Sequence, residues 1–171
     1  GLDLGRVDKG AFMIEYEQME SISGKFAKDL IDCFERGGKC LVIGNGGSAA
    51  EASHFAAELV GHFELKRKAL PAIALTTDTS ILTAIGNDDG YHNIFTRQIE
   101  ALGKEGDILF ILSTSGRSIN CLEAELVAKE MGLVIRQFPL KEKMSTAMCQ
   151  ERHLKIVHEI CGEIDRYYSQ K

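Results

Sequence analysis

The chain of 171 residues is long enough for one α/β domain with a substantial core, and its apolar and charged fractions are those of a globular protein. A formal charge of −5 argues against nonspecific binding to nucleic acid or to an anionic membrane. No apolar run approaches the roughly 20 residues of a membrane helix, and the first residues, GLDLGRVDKG, lack the apolar segment of a secretory leader.

Taken in chain order, residues from about Lys9 to Arg36 read as helix. Ile22, Phe26, Leu30 and Phe34 recur at near-helical spacing, and Gly37-Gly38 stops the run. Lys39 to Gly44 reads as a short apolar strand, with helix from Ser48 onward. The dense basic stretch Lys66-Arg67-Lys68 reads as a solvated loop. Pro71 to Leu75 is a second strand, followed by TTDTS and a short helix to Ile85. GNDDG, Gly86 to Gly90, reads as a loop and Tyr91 to Leu102 as helix. Asp107 to Leu112, DILFIL, is a continuous apolar strand of the fully buried kind. It runs into STSG and a helix from Asn120 to Met131, which Gly132 caps before a strand opens at Leu133-Val-Ile135. Ser145 to Tyr168 is a long final helix.

Strands alternating with helices imply an α/β fold, a doubly wound parallel sheet flanked by helices, as one domain over residues 1–171. One place departs from that plan. A further crossover and strand should follow LVI, and a crossover takes at least about 10–12 residues. Only Arg136 to Lys143 stands between LVI and the last helix, so a flexible segment missing near Arg136 is expected. The five cysteines, Cys33, Cys40, Cys121, Cys149 and Cys161, include no C-x-x-C pair. They read as reduced, mostly buried thiols of a cytosolic protein.

Two glycine loops follow strands. Gly44-Asn45-Gly46-Gly47-Ser48-Ala49 fits G-x-G-x-x-A, a dinucleotide fingerprint. The next strand comes too late and ends in threonines, not an acid, so the dinucleotide reading stays minor. Ser113-Thr114-Ser115-Gly116-Arg117-Ser118 sets four hydroxyls and successive backbone N–H groups at a helix start. Simple capping needs one serine; the surplus suits a compact monophosphate. Ser118 is expected to cap the helix and add its hydroxyl.

His54 and Glu58 lie at i and i+4, on one face of the helix that the first loop opens. Alone, that spacing describes a surface pair or a core histidine with its partner. The helix begins at a loop over the carboxyl end of a sheet strand, where α/β ligands bind. Gln150 and His158 form a second pair, on the last helix. Two i, i+4 steps drift by about 80°, so a second subunit completing the site stays open. His153 falls on a different face from His158 and reads as structural.

The pairing of GNGGS with STSGRS resembles a sugar isomerase (SIS) domain, and more closely the phosphoheptose isomerases. GNGGSAAEASHFAAEL, PAIALTTDTS, AIGNDDGYHNIFTRQIEALGKEGD and STAMCQERHLKIVH are similar to that family across roughly residues 20 to 170. The resemblance implies a flavodoxin-like SIS fold and conversion of sedoheptulose 7-phosphate to glycero-manno-heptose 7-phosphate, for bacterial surface polysaccharide. It implies a homotetramer with sites at interfaces, in which residues 1–38 form an oligomerisation helix before the sugar-phosphate core at 39–171. The partners are then a small sugar phosphate and sister subunits, with no nucleic acid or membrane.

Glu58 and His158 match the family's acid/base positions. Non-enzymatic relatives that bind the replication initiator lack both groups, so their presence favours an enzyme. A sugar-phosphate-binding regulator and an isomerase of another phosphosugar, such as arabinose 5-phosphate, are the alternatives. Two imidazoles, a carboxylate and an amide oxygen also suit zinc, which some relatives carry through residues matching His54, Glu58, Gln150 and His158. Asn45, Gly46, Gly47 and Ser48 would bind substrate along with Glu58 and Gln150. Asn87 and Asp88 would meet the sugar hydroxyls, and Ser113, Thr114, Ser115 and Ser118 the phosphate. Many relatives have arginine after the glycine of E-L-x-G; here that position is His62, with Lys66 or Arg67 as candidate substitutes.

Overall fold

In a computed structural model the backbone is described for residues 9–171 and the side chains for residues 22–171. The elements run α1 (Lys9–Glu35), β1 (Cys40–Gly44), α2 (Gly47–Val60), β2 (Ala72–Ala74), α3 (Thr79–Asp88) and a 3-10 turn (Tyr91–Asn93). They continue α4 (Thr96–Leu102), β3 (Ile108–Leu112), α5 (Ile119–Glu130), β4 (Val134–Gln137) and α6 (Thr146–Ser169). The four strands pair in parallel in the order β2-β1-β3-β4. This is the doubly wound arrangement that the alternating pattern implies, and its winding reverses between β1 and β3.

Period-two alternation sends the buried strands into two cores. Val42 and Phe110 face Phe26, Leu30, Phe55, Phe138, Ile156 and Ile160 beneath α1, α2 and α6. Leu41, Ile43, Leu109 and Ile111 face Leu75, Phe95, Ile99, Ala124 and Ala128 on the other side. Phe26, Leu30 and Phe34 are buried as their spacing demands, while the first half of α1 lies outside the residues with described side chains. All five cysteines are free and buried. Among the described residues no helix is long and apolar enough to cross a membrane.

Two boundaries differ from the sequence reading. α3 continues through Asn87 and Asp88, because Leu82 and Ile85 pack on the second core and carry the helix into the NDDG segment. The stretch 91–102 divides into a 3-10 turn and α4 instead of one helix. Past β4, residues 138–145 alone lead to α6, and β4 is a sheet edge. Phe138 is fully buried there, and Arg136 Nε donates to Asp29 Oδ2 at 2.6 Å, tying β4 to α1.

Candidate active site

The carboxyl ends of β1 and β3, neighbours at the reversal point, each give way to a glycine loop and a helix. The first turn is tightest at Gly44, where backbone leaves no room for a side chain. A Cβ on Gly44 would lie 2.7 Å from the Ser48 carbonyl oxygen, and one on Gly47 would lie 2.6 Å from Gln150 Nε2. The loop therefore brings the amide of Gln150, on α6, directly over the start of α2.

Between the two loops lies a cavity of about 250 Å³. Asn45, Gly46, Gly47, Ser48, Ser113, Thr114, Ser115, Ser118 and Gln150 all line it, so nine of the twelve expected contacts share one place; Glu58, Asn87 and Asp88 do not line it. Asn87 and Asp88 stand at the exposed end of α3, where Asn87 Nδ2 donates to Asp88 Oδ1.

Within the second loop, Ser113 Oγ accepts from Gly116 N at 3.1 Å and Ser115 Oγ accepts from Arg117 N at 3.2 Å. Ser118 holds the N-cap position of α5, but its hydroxyl makes no capping bond, contrary to expectation. α2 starts after Gly46 with no side-chain cap either. Two helix N-termini without side-chain caps thus face one small polar cavity, a setting that favours an anion.

Two residues that sequence reading missed lock the first loop. Asn45 Nδ2 donates to Asn120 Oδ1 at 2.9 Å, and Asn120 Nδ2 returns the bond to Asn45 Oδ1 at 2.8 Å. Tyr91 OH adds a bond to Asn45 Oδ1 at 3.1 Å. Nothing in the local sequence marks these partners, which lie 75 and 46 positions from Asn45.

One helical pitch along α2, His54 Nε2 and Glu58 Oε1 are 2.8 Å apart. His158 approaches from α6, its ring centroid 5.2 Å from that of His54. One ligand atom each from His54, Glu58 and His158 fall within 4.8 Å of one another. His158 also faces an open groove of about 860 Å³ along α6 and stacks on Phe63, at 5.0 Å and 13°.

The basic stretch is a loop with Lys66 and Lys68 exposed, but Arg67 is not solvated. The Arg67 side chain is fully buried, its Nε donating to Asp165 Oδ1 at 3.0 Å. Nη1 donates to the carbonyls of Leu59 and Gly61, and Nη2 to that of Glu58. With its donors spent on the end of α2, Arg67 is not free to replace an arginine at position 62; His62 itself is exposed. His153 is fully buried, as a structural residue should be. Its Nε2 donates to the Pro139 carbonyl at 2.6 Å, while Nδ1 stands 3.9 Å from Glu51 Oε2, with neither atom hydrogen-bonded. Burial pushes Glu51 up to about 7 and pulls His153 below the usual histidine range.

A model described as "SIS domain" matches residues 12–135. A phosphoheptose isomerase of Campylobacter jejuni is 47% identical over 167 residues, covering 87% of this chain and 90% of its own length. One from Geobacter sulfurreducens is 47% identical over 156 residues, covering 82% of each. The solved structure of a phosphoheptose isomerase from Neisseria gonorrhoeae superposes with a TM-score of 0.78 at 38% identity, covering 91% of this chain and 94% of that one. With a doubly wound sheet, two glycine loops at its reversal point and these relatives, the chain belongs to the SIS domain family, alongside the phosphoheptose isomerases.

Proposed function

We propose that this protein is an aldose–ketose isomerase converting D-sedoheptulose 7-phosphate to D-glycero-D-manno-heptose 7-phosphate, for bacterial surface polysaccharide precursors. The observation that carries the reading is the convergence of Glu58 and His158, from α2 and α6, in a fold whose two glycine loops enclose a small polar cavity. The relatives bear the same activity in their names.

In this reading the phosphate sits among Ser113, Thr114, Ser115 and Ser118, and Asn45, Gly46, Gly47, Ser48 and Gln150 hold the sugar chain. Asn87 and Asp88 meet its hydroxyls, supported by the Tyr91–Asn45 bond that draws the following segment toward the loop. The Glu58 carboxylate removes a proton from C1, beside the C2 carbonyl, giving an enediol. That proton returns to C2, while His158 exchanges protons between O1 and O2, so that the ketone becomes an alcohol and C1 an aldehyde. No atom is gained or lost.

Two imidazole nitrogens and a carboxylate oxygen within 4.8 Å form a donor set that fits zinc; the family resemblance adds Gln150, whose amide stands over Gly47 at the start of α2. Bound there, zinc would polarise the substrate's carbonyl oxygen. The reading extends to a cytoplasmic homotetramer. Five free buried thiols suit a reducing compartment, and the open groove beside His158 suits cover by a second subunit.

The test supplies purified protein with zinc and the ketose phosphate in D2O and follows aldose by NMR. Aldose carrying solvent deuterium is expected. Phosphate binding without deuterium entry would instead identify a non-catalytic sugar-phosphate module.

A further inference from the structure

We infer that Phe63 is a positioning residue for His158, and that the buried Arg67–Asp165 pair holds it in place as a clamp between the two helices of the site. The inference rests on the reading of His158 as a site residue.

The clamp is built from α6 outward. Asp165 follows His158 by seven residues, two turns along the same helix, so both project toward the end of α2. One oxygen of Asp165 accepts three successive backbone N–H groups, from Phe63 at 3.1 Å, Glu64 at 2.7 Å and Leu65 at 2.9 Å. The other oxygen accepts from Arg67 Nε. With both side chains almost fully buried, neither charge is left to water, and the carboxylate's remaining lone pairs are filled. Arg67 then donates to the Glu58 carbonyl at 2.6 Å.

The consequence is geometric. The segment after α2 cannot drift, because three amides converge on a single atom. It carries Phe63 onto the face of His158, the two rings nearly parallel at 13°. That stack fixes the plane of the imidazole, hence the direction of its nitrogen lone pairs toward Glu58 and His54. Groups that orient a metal ligand or acid/base residue without touching substrate characteristically change affinity or rate 10- to 100-fold. Arg67 simultaneously holds the backbone of Glu58, so one ion pair sets the separation of the two reacting side chains.

The experiment compares Phe63→Leu, which keeps apolar bulk but removes the stack, with Phe63→Tyr, which restores it. Zinc affinity is measured with the metal alone, the His158 ring signals are followed by NMR, and kcat and KM are taken with sedoheptulose 7-phosphate. Phe63→Leu is expected to weaken zinc roughly 10-fold and lower kcat roughly 10- to 100-fold, with KM within about two-fold. It should also shift the His158 ring protons, while Phe63→Tyr recovers most of each loss. Unchanged zinc affinity and unchanged His158 signals in Phe63→Leu would overturn the inference. If the wild-type protein proves inactive, the isomerase reading fails, but the zinc and NMR readouts still decide the clamp.

Discussion

The side chains of Asn45 and Asn120 meet amide to amide, each donating to the other, at 2.9 and 2.8 Å. This pair ties the loop after β1 to the first turn of α5, so the two walls of the cavity move together. Asn120 is 3% exposed, and replacing it with leucine leaves the Asn45 amide without its main acceptor. Asn120→Leu is expected to cost about 1–3 kcal/mol of stability, the usual penalty for an orphaned buried group, with a raised KM. Urea unfolding should show the midpoint falling at constant slope. A variant as stable as the parent would mean that the loop holds its shape without the pair.

The hydroxyls of the second loop have a separate test. Thr114→Ala combined with Ser115→Ala removes two donors from the cavity wall. Each charge-assisted bond to phosphate contributes roughly 1.5–3 kcal/mol, so KM should rise at least about 10-fold. Unchanged KM and unchanged affinity for inorganic phosphate would reduce STSGRS to a helix cap.

Glu51 makes a prediction about pH. Its carboxyl is pushed from 4.5 to about 7 by burial, so the folded state holds a proton that the unfolded chain releases. Stability from this group is therefore complete below about 4.5 and is lost as pH rises through about 7, by roughly 3 kcal/mol at most. Glu51→Gln removes the titration while keeping the size. It should melt above the parent at pH 8 and close to it at pH 5. Equal shifts at both values would show that Glu51 does not carry the buried proton.

The frame of the molecule was legible because its signals are local. DILFIL is a buried strand over nearly its full length, and the i, i+4 pair His54 and Glu58 does meet at 2.8 Å. The clamp was not legible. Arg67 sits in a run of three basic residues, where solvation is the ordinary expectation, and its acid lies 98 positions away on α6. Asn120 was hidden in the same way, by a partner 75 positions distant. Asn87 and Asp88 look like a polar turn, yet the packing of Leu82 and Ile85 extends the helix over them. In each case a tertiary contact outweighs the local preference.

The central claim is that Glu58 is the proton-transferring base, and rate measured beside zinc content in Glu58→Gln tests it most directly. Glutamine keeps the shape but not the basic carboxylate. At zinc content matched to the parent, turnover of sedoheptulose 7-phosphate and deuterium entry should both fall by roughly 10²–10⁴, while phosphate affinity is kept. A variant that loses zinc and regains activity in excess metal would assign Glu58 to holding the ion. Full turnover at unchanged zinc content would contradict the account and leave His54 and Glu58 as a surface ion pair.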